Sequence, residues 1–153
     1  MTTPKLNSDQ ILKVLHSAYC HGTTGKDLLQ ITADKLRSVG SPYTGVYMYM
    51  VHDETLKLEA FAGRPTEHVE IQIGVGLCGK AVAEKRDLNV ADVNAEEQYL
   101  ACSIETKSEL IVLIRRGDLI LGQIDVDCDE LNGFDEAEQA AAQRVADGLA
   151  SLL

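Results

Sequence analysis

The chain lacks several features that would assign it to a familiar class. It contains no Cys-x-x-Cys pair, which argues against zinc ribbons and thioredoxin-type motifs. No apolar run approaches the roughly 20 residues that a membrane-spanning helix needs. The first residues, Met1 to Lys5, show no apolar core of a signal peptide. We therefore expect a cytoplasmic protein with no membrane partner.

Basic residues are also scarce. The 153 residues include 14 lysines and arginines against 24 acids, for a formal net charge of −10. This balance argues against nucleic acid as a partner, because phosphates require a basic surface. Hydrophobic residues make up 45% and charged residues 25%, a soluble globular profile. Residues 1–153 are thus expected to form a single domain of ordinary size.

Hydrophobic periodicity predicts both helices and strands. Helices are expected over Ser8–Tyr19, Lys26–Val39, Gly76–Lys85 and Phe134–Leu153. Strands are expected over Tyr43–Val51, Leu56–Phe61, Val69–Ile73, Asp87–Val90, Leu110–Ile114 and Leu119–Val126. Two strand pairs are separated by short turns and read as hairpins. The order predicts an α+β fold, with an antiparallel sheet and helices packed on one face. The segment Asn94–Thr106 is polar and patternless, and is expected to be a loop or an irregular helix.

Three glycine-, cysteine- and acid-containing motifs stand out in the second half of the chain. They are Gly74-Val75-Gly76-Leu77-Cys78-Gly79, Tyr99-Leu100-Ala101-Cys102-Ser103 with Ser108-Glu109, and Gly122-Gln123-Ile124-Asp125-Val126-Asp127-Cys128. A thiol pair with carboxylates placed at predicted strand ends suggests thiol redox chemistry on a small polar substrate.

These motifs, together with Tyr43-Thr44-Gly45-Val46-Tyr47, Gly63-Arg64-Pro65 and Asp92-Val93, resemble those of GAF domains, and in particular of the free methionine-(R)-sulfoxide reductases. The resemblance covers nearly the whole chain. It implies a GAF-like antiparallel sheet with the N- and C-terminal helices packed on one face. It also implies free methionine sulfoxide, or a similar small polar ligand, as substrate.

The cysteines are the first candidate catalytic groups. Cys102 is predicted to be the nucleophile, because it lies in an accessible polar loop and the resemblance agrees. Cys78 precedes it by 24 residues, which is the interval of the family, and lies near a predicted helix N-terminus that lowers a thiol pKa. The family's third cysteine is replaced by His68 in this chain. We therefore expect Cys78 or an external thiol to resolve the sulfenic acid on Cys102, with a Cys78–Cys102 disulfide after one turnover.

The acids are the second candidate group. Asp125 and Asp127 point to the same face of a strand, because side-chain direction repeats every two residues, and the resemblance places Glu109 beside them. Clustered carboxylates hold a proton for the departing sulfoxide oxygen, and they attract the ammonium group of the substrate. The alternative is that these acids form a solvated strand edge.

Tyr43 and Tyr47 are expected to face the same way, and the resemblance implies that they hold the methyl-sulfur end of the substrate. The alternative is that both are core tyrosines. His68 has three possible roles: a neutral surface residue, an acid/base or thiolate partner of Cys102, or a ligand with Cys78 and Cys102 in a soft metal site. The third role would require a metal ion. We nevertheless expect neither a metal ion nor a cofactor.

The leading hypothesis is an enzyme that reduces free methionine-R-sulfoxide through a sulfenic acid and disulfide cycle, recycled by a thioredoxin-like dithiol. The alternative is a non-catalytic GAF module that binds a small molecule or senses redox state, which the presence of His68 favours. A homodimer is expected through the first and last helices, because alanines along the last helix permit close helix approach.

Overall fold

The computed structural model describes residues 2–97, 99–100 and 104–153. Within these ranges the chain forms four α-helices and six strands. The helices are α1 (Ser8–Cys20), α2 (Gly25–Ser38), α3 (Gly76–Glu84) and α4 (Glu136–Ala150). The strands are β1 (Gly45–His52), β2 (Thr55–Ala62), β3 (Glu70–Gln72), β4 (Leu88–Val90), β5 (Ser108–Arg116) and β6 (Leu119–Cys128).

The strands form one six-stranded sheet in the order β3-β2-β1-β6-β5-β4. Neighbouring strands are antiparallel throughout. Strands β1 and β6 lie at the centre, so both edges of β6 are hydrogen-bonded, to β1 and to β5. This architecture confirms the predicted α+β fold with a GAF-like antiparallel sheet.

The N- and C-terminal helices pack on one face of the sheet, as predicted. Their apolar residues form a core with Val46, Met48, Ile124 and Val126 from the central strands. Helix α1 is capped by Asn7, whose side chain accepts a hydrogen bond from the backbone N–H of Gln10. Asp135 caps helix α4 in the same way, accepting from the backbone N–H of Glu138. Such N-caps satisfy backbone donors that a helix otherwise leaves unpaired.

The opposite face carries a second core beneath α3. Its members include Tyr47 and Tyr49 of β1, Ile111 and Leu113 of β5, and Leu77 of α3. The alternation along each strand therefore divides its side chains between two apolar layers. The site described below lies in this second layer.

The hairpin of β5 and β6 is longer than the sequence predicts. Its ladder begins at the pair Ser108 and Cys128 and continues to Arg116 and Leu119. The predicted boundaries stop short because Glu109 and Asp127 break the apolar pattern, although they lie within regular strands. None of the helices in the described ranges is both long and apolar enough to cross a membrane.

Candidate active site

A cluster of three buried acids lies on the α3 side of the sheet. Glu109 of β5 pairs directly with Asp127 of β6, and Asp125 lies two residues earlier on the same face. Only 4%, 3% and 2% of the surfaces of Glu109, Asp127 and Asp125 are exposed. The alternative of a solvated strand edge is therefore wrong. The structure brings all three predicted acids together.

Cys78 contacts this acid cluster from the first turn of α3. Its thiol donates a hydrogen bond to Asp125 Oδ2, with Sγ and Oδ2 3.3 Å apart, and Sγ lies 4.0 Å from Glu109 Oε2. Cys78 is buried. The sequence-based assignment of Cys78 and the acids to one site thus matches their positions.

Gln123 holds this turn of α3 against the sheet and was not singled out from the sequence. Its Nε2 donates a hydrogen bond to the backbone oxygen of Cys78, at 3.0 Å, and its side chain is fully buried. The signal that could have found it is its spacing, because Gln123 lies two residues before Asp125 and so shares its face.

Gly79 explains why the motif around Cys78 is rich in glycine. A Cβ atom at this position would lie 2.5 Å from the backbone oxygen of Gln72 and 2.8 Å from the backbone nitrogen of Gly74. The backbone N–H of Gly74 donates to the oxygen of Gly79 at 2.9 Å. Only glycine permits this close approach, which fixes the start of α3 above the acids.

The predicted effect of the helix N-terminus on Cys78 is wrong in direction. Burial raises the pKa of the Cys78 thiol well above its ordinary value, and the negative charges of Asp125 and Glu109 raise it further. Desolvation and neighbouring carboxylates both disfavour a thiolate, and here they outweigh the helix dipole, whose effect is modest. Cys78 therefore rests as a neutral thiol that acts as a hydrogen-bond donor.

The aspartates also retain protons more strongly than usual. Burial raises the pKa of Asp125, although its hydrogen bonds to Glu109 and Cys78 oppose the shift. Burial and the charge of Asp125 raise the pKa of Asp127 well above its ordinary value, while Arg64 opposes the change. Arg64 itself pairs with Asp129 and with Glu105. The cluster therefore holds a proton to a higher pH than exposed carboxylates would.

A small cavity opens beside Cys78, Glu109 and Asp125. It encloses about 10 Å³ of free space, which is room for about one water molecule. The rest of its lining comes from aromatic, apolar and imidazole side chains, namely Tyr49, His68, Ile71, Leu77, Tyr99 and Leu100. A cavity of this size is too small for an amino acid unless its lining rearranges.

His68 and Tyr49 form one side of this cavity. His68 is half-buried and lines the cavity, and which of its three possible roles it has stays a prediction. The Tyr49 hydroxyl donates a hydrogen bond to the backbone oxygen of His68 at 2.7 Å. Sequence analysis missed Tyr49, although its position two residues after Tyr47 indicated the same face of the strand.

The two predicted tyrosines do not lie together. Tyr43 precedes β1 and packs in the core of the terminal helices, where its ring contacts Phe134 edge-on and its hydroxyl donates to Glu138. Tyr47 lies on the acid face, paired in register with Asp125, and its hydroxyl donates to the backbone oxygen of Arg64. The prediction that both face the same way is wrong, because the strand begins only at Gly45 and its alternation does not extend to Tyr43.

The remaining cysteines differ in position. Cys102, the predicted nucleophile, lies outside the described residues. Cys128 is buried in the core of the terminal helices, and Cys20 is exposed at the end of α1. Both lie away from the acid cluster.

The raised pKa values of the aspartates predict a pH-dependent stability. The ordinary pKa of aspartate is about 3.9, and the native values of Asp125 and Asp127 lie above it. Between the ordinary pKa and the raised native pKa values, the native state therefore binds more protons than the unfolded state. The resulting contribution to the free energy of unfolding is fully present below about pH 3.9 and is lost as the pH rises through the native pKa values. Urea unfolding at acidic and alkaline pH should show that the free energy of unfolding falls less with rising pH in Asp125→Asn than in wild type. An identical pH dependence in wild type and variant would contradict the assignment.

Comparison with known proteins agrees with this architecture, in which a sheet carries the terminal helices on one face and a small acid-lined cavity on the other. The family model for the GAF domain matches residues 23–153. The chain belongs to the GAF domain family.

Several relatives carry a more specific description. The free methionine-R-sulfoxide reductase of Saccharomyces cerevisiae is 33% identical over 154 aligned positions, which cover 92% of this chain and 84% of the relative. The structure of the type II free methionine-R-sulfoxide reductase of Thermoplasma acidophilum is 33% identical, with a TM-score of 0.79 and coverage of 93% and 94% of the two chains. That of the Neisseria meningitidis reductase in complex with its substrate is 27% identical, with a TM-score of 0.85 and coverage of 94% and 86%.

Proposed function

We propose that this protein reduces free methionine-R-sulfoxide to methionine by a thiol-dependent reaction. The observation that carries the proposal is the buried cluster of Glu109, Asp125 and Asp127 in contact with the Cys78 thiol. Buried carboxylates are uncommon without a partner or a purpose. An ammonium group from a free amino acid supplies the missing positive charge, and the relatives named as reductases support the choice of substrate.

In the proposed chemical step the sulfur of Cys102 attacks the sulfoxide sulfur. The sulfur–sulfur bond formed by this attack breaks as the sulfoxide oxygen is transferred to the cysteine sulfur, so Cys–SH and the sulfoxide become Cys–SOH and methionine. The thiol supplies the two electrons, and its proton returns to the acid cluster. The oxygen accepts a proton as its bond to the methionine sulfur breaks. The Asp125 and Asp127 pair is suited to supply that proton, because both native pKa values are raised.

We further propose that Cys78 resolves the sulfenic acid. Its sulfur displaces hydroxide from Cys102–SOH, which forms a Cys78–Cys102 disulfide and, with the thiol proton, releases water. Asp125 Oδ2 lies 3.3 Å from Sγ and is suited to accept that proton, which compensates for the raised pKa of the thiol. A thioredoxin-like dithiol then reduces the disulfide, and the reducing cytoplasm is the proposed setting.

A non-catalytic module that binds a small ligand or senses redox state is the second candidate. Two observations favour it: His68 occupies the position of a family cysteine, and the Cys78 thiol is held neutral. Purified protein with dithiothreitol and the separate R and S epimers of free methionine sulfoxide discriminates between the candidates. The reductase proposal requires multiple turnovers of the R epimer, whereas a module would bind without consuming it.

We expect strong selectivity for the free amino acid over a blocked one. The acid cluster is closed to solvent, so a substrate without an ammonium group leaves the buried carboxylates uncompensated. Reduction of N-acetyl-methionine-R-sulfoxide should be slower by more than about a hundredfold in kcat/KM. Comparable rates for both compounds would contradict the proposed ammonium site.

The homodimer through α1 and α4 stays a proposal, but the residues proposed to form its contact surface change. Ala141 and Ala142 are buried in the protein's own core, so they are not free to contact a second chain. The groove where Leu12 of α1 faces Gly148 and Leu152 of α4 is the better contact surface. Light scattering at tens of micromolar should give twice the mass of one chain, and Leu12→Glu should give monomers. A monomeric wild type would refute the dimer.

A further inference from the structure

The ligand geometry around Cys78 resembles that of a metal site. The Sγ atom of Cys78 and one carboxylate oxygen each from Glu109 and Asp125 all lie within 4.8 Å of one another. The three side chains come from α3, β5 and β6, so separate rigid elements converge on one point. All three are buried. A preorganised set of ligands of this kind binds a cation without reorganising the fold.

A second observation points to an occupant at this position. Asp125 Oδ1 is buried and has no hydrogen-bond donor within the described part of the chain, whereas Oδ2 of the same carboxylate accepts the hydrogen bond from Cys78. A carboxylate oxygen in that condition is costly, because its lost hydration is not replaced. The adjoining cavity holds about 10 Å³, which admits a particle of the size of a water molecule or a single ion.

Two of the three ligand separations can be compared with those around zinc. With Zn–S of about 2.3 Å and Zn–O of about 2.1 Å, a tetrahedral ion separates its sulfur and oxygen ligands by about 3.6 Å. The corresponding distances here are 3.3 Å from Cys78 to Asp125 and 4.0 Å from Cys78 to Glu109. Shifts of about 0.3–0.4 Å would equalise them. A soft thiolate favours Zn²⁺ or Cd²⁺ over Mg²⁺ and Ca²⁺.

We propose that Cys78, Glu109 and Asp125 bind one Zn²⁺ ion, with a water molecule at the fourth position. Binding requires the Cys78 thiol to lose its proton, so it releases a proton and weakens as the pH falls. The ion neutralises the buried acids and occupies the space beside them. On the proposed function, it would also block the ammonium group and sequester the resolving thiol, and so inhibit turnover.

The test uses the full chain with Zn²⁺ alone, without substrate. A Cys20→Ser and Cys102→Ser background removes the exposed cysteine and the predicted nucleophile, and Asp118→Asn in the exposed β5–β6 turn is the matched control. Competition with a chromophoric chelator should give one ion per chain, and Asp125→Asn should weaken binding by at least about tenfold. Cd²⁺ should produce a thiolate charge-transfer band that Cys78→Ser abolishes.

The outcomes separate this proposal from the proposed function. Circular dichroism of each variant confirms folding, and Asp125→Asn tests the site even if Cys78→Ser fails to fold. No stoichiometric binding in the background variant, or binding that Asp125→Asn leaves unchanged, would overturn the metal site. Absence of turnover in metal-free wild type would overturn only the reductase proposal, since the binding measurement involves no substrate.

Discussion

Replacing Cys102 by serine is expected to reduce the rate of free methionine-R-sulfoxide reduction to that of buffer without protein. A serine hydroxyl is a far weaker nucleophile than a thiolate and cannot form the sulfenic acid that receives the sulfoxide oxygen. The unfolding transition should be unchanged within about 1 kcal/mol, as expected of a substitution in a segment that the sequence predicts to be a polar loop. Steady-state assays with a dithiol reductant, together with urea unfolding, provide the measurement.

Cys20→Ser is the matched control for this experiment. Cys20 is exposed at the end of α1 and remote from the acid cluster, so its loss should leave the rate unchanged. If Cys102→Ser retained the wild-type rate, the nucleophile would have to be another residue, and Cys78 would be the first to examine.

Asp125→Asn is expected to lower kcat/KM by about a hundredfold or more while leaving the protein at least as stable as wild type. The amide removes both a partner for the substrate ammonium and a group suited to protonate the departing oxygen, and loss of a general acid alone costs a factor of 10² to 10⁴. Stability should not fall, because the change removes a buried charge from a cluster whose members repel one another.

The experiment is discriminating because Asp125→Asn should lower kcat/KM without lowering stability. A loss of both activity and stability would mean that Asp125 has mainly a structural role. Asp118→Asn, in the exposed turn between β5 and β6, should change neither quantity. Wild-type kinetics in Asp125→Asn would contradict the proposed site.

Much of what the sequence predicts about the site follows from the alternation of side-chain direction along a strand. Asp125 and Asp127 alternate with Ile124 and Val126, so their shared face follows from strand geometry alone. The same rule could have found Gln123 and Tyr49. It fails for Tyr43, because turns interrupt alternation and the sequence does not mark the residue where β1 begins.

Electrostatics was harder to predict than topology. The pKa of Cys78 depends on two opposing influences, the helix N-terminus and the buried carboxylates. The sequence shows the first and gives no distance for the second. The 3.3 Å contact with Asp125 and the burial of the thiol decide the direction. Long-range contacts of this kind link residues 47 positions apart, and local patterns do not specify them.

The most direct test of the central claim is a single-turnover reaction without any external reductant. Fully reduced wild-type protein is mixed with one equivalent of free methionine-R-sulfoxide, and the methionine formed and the oxidised cysteines are quantified by mass spectrometry with peptide mapping. The account predicts about one equivalent of methionine per chain and a disulfide that joins Cys78 to Cys102. Folded protein that forms no methionine and keeps both thiols reduced would contradict it.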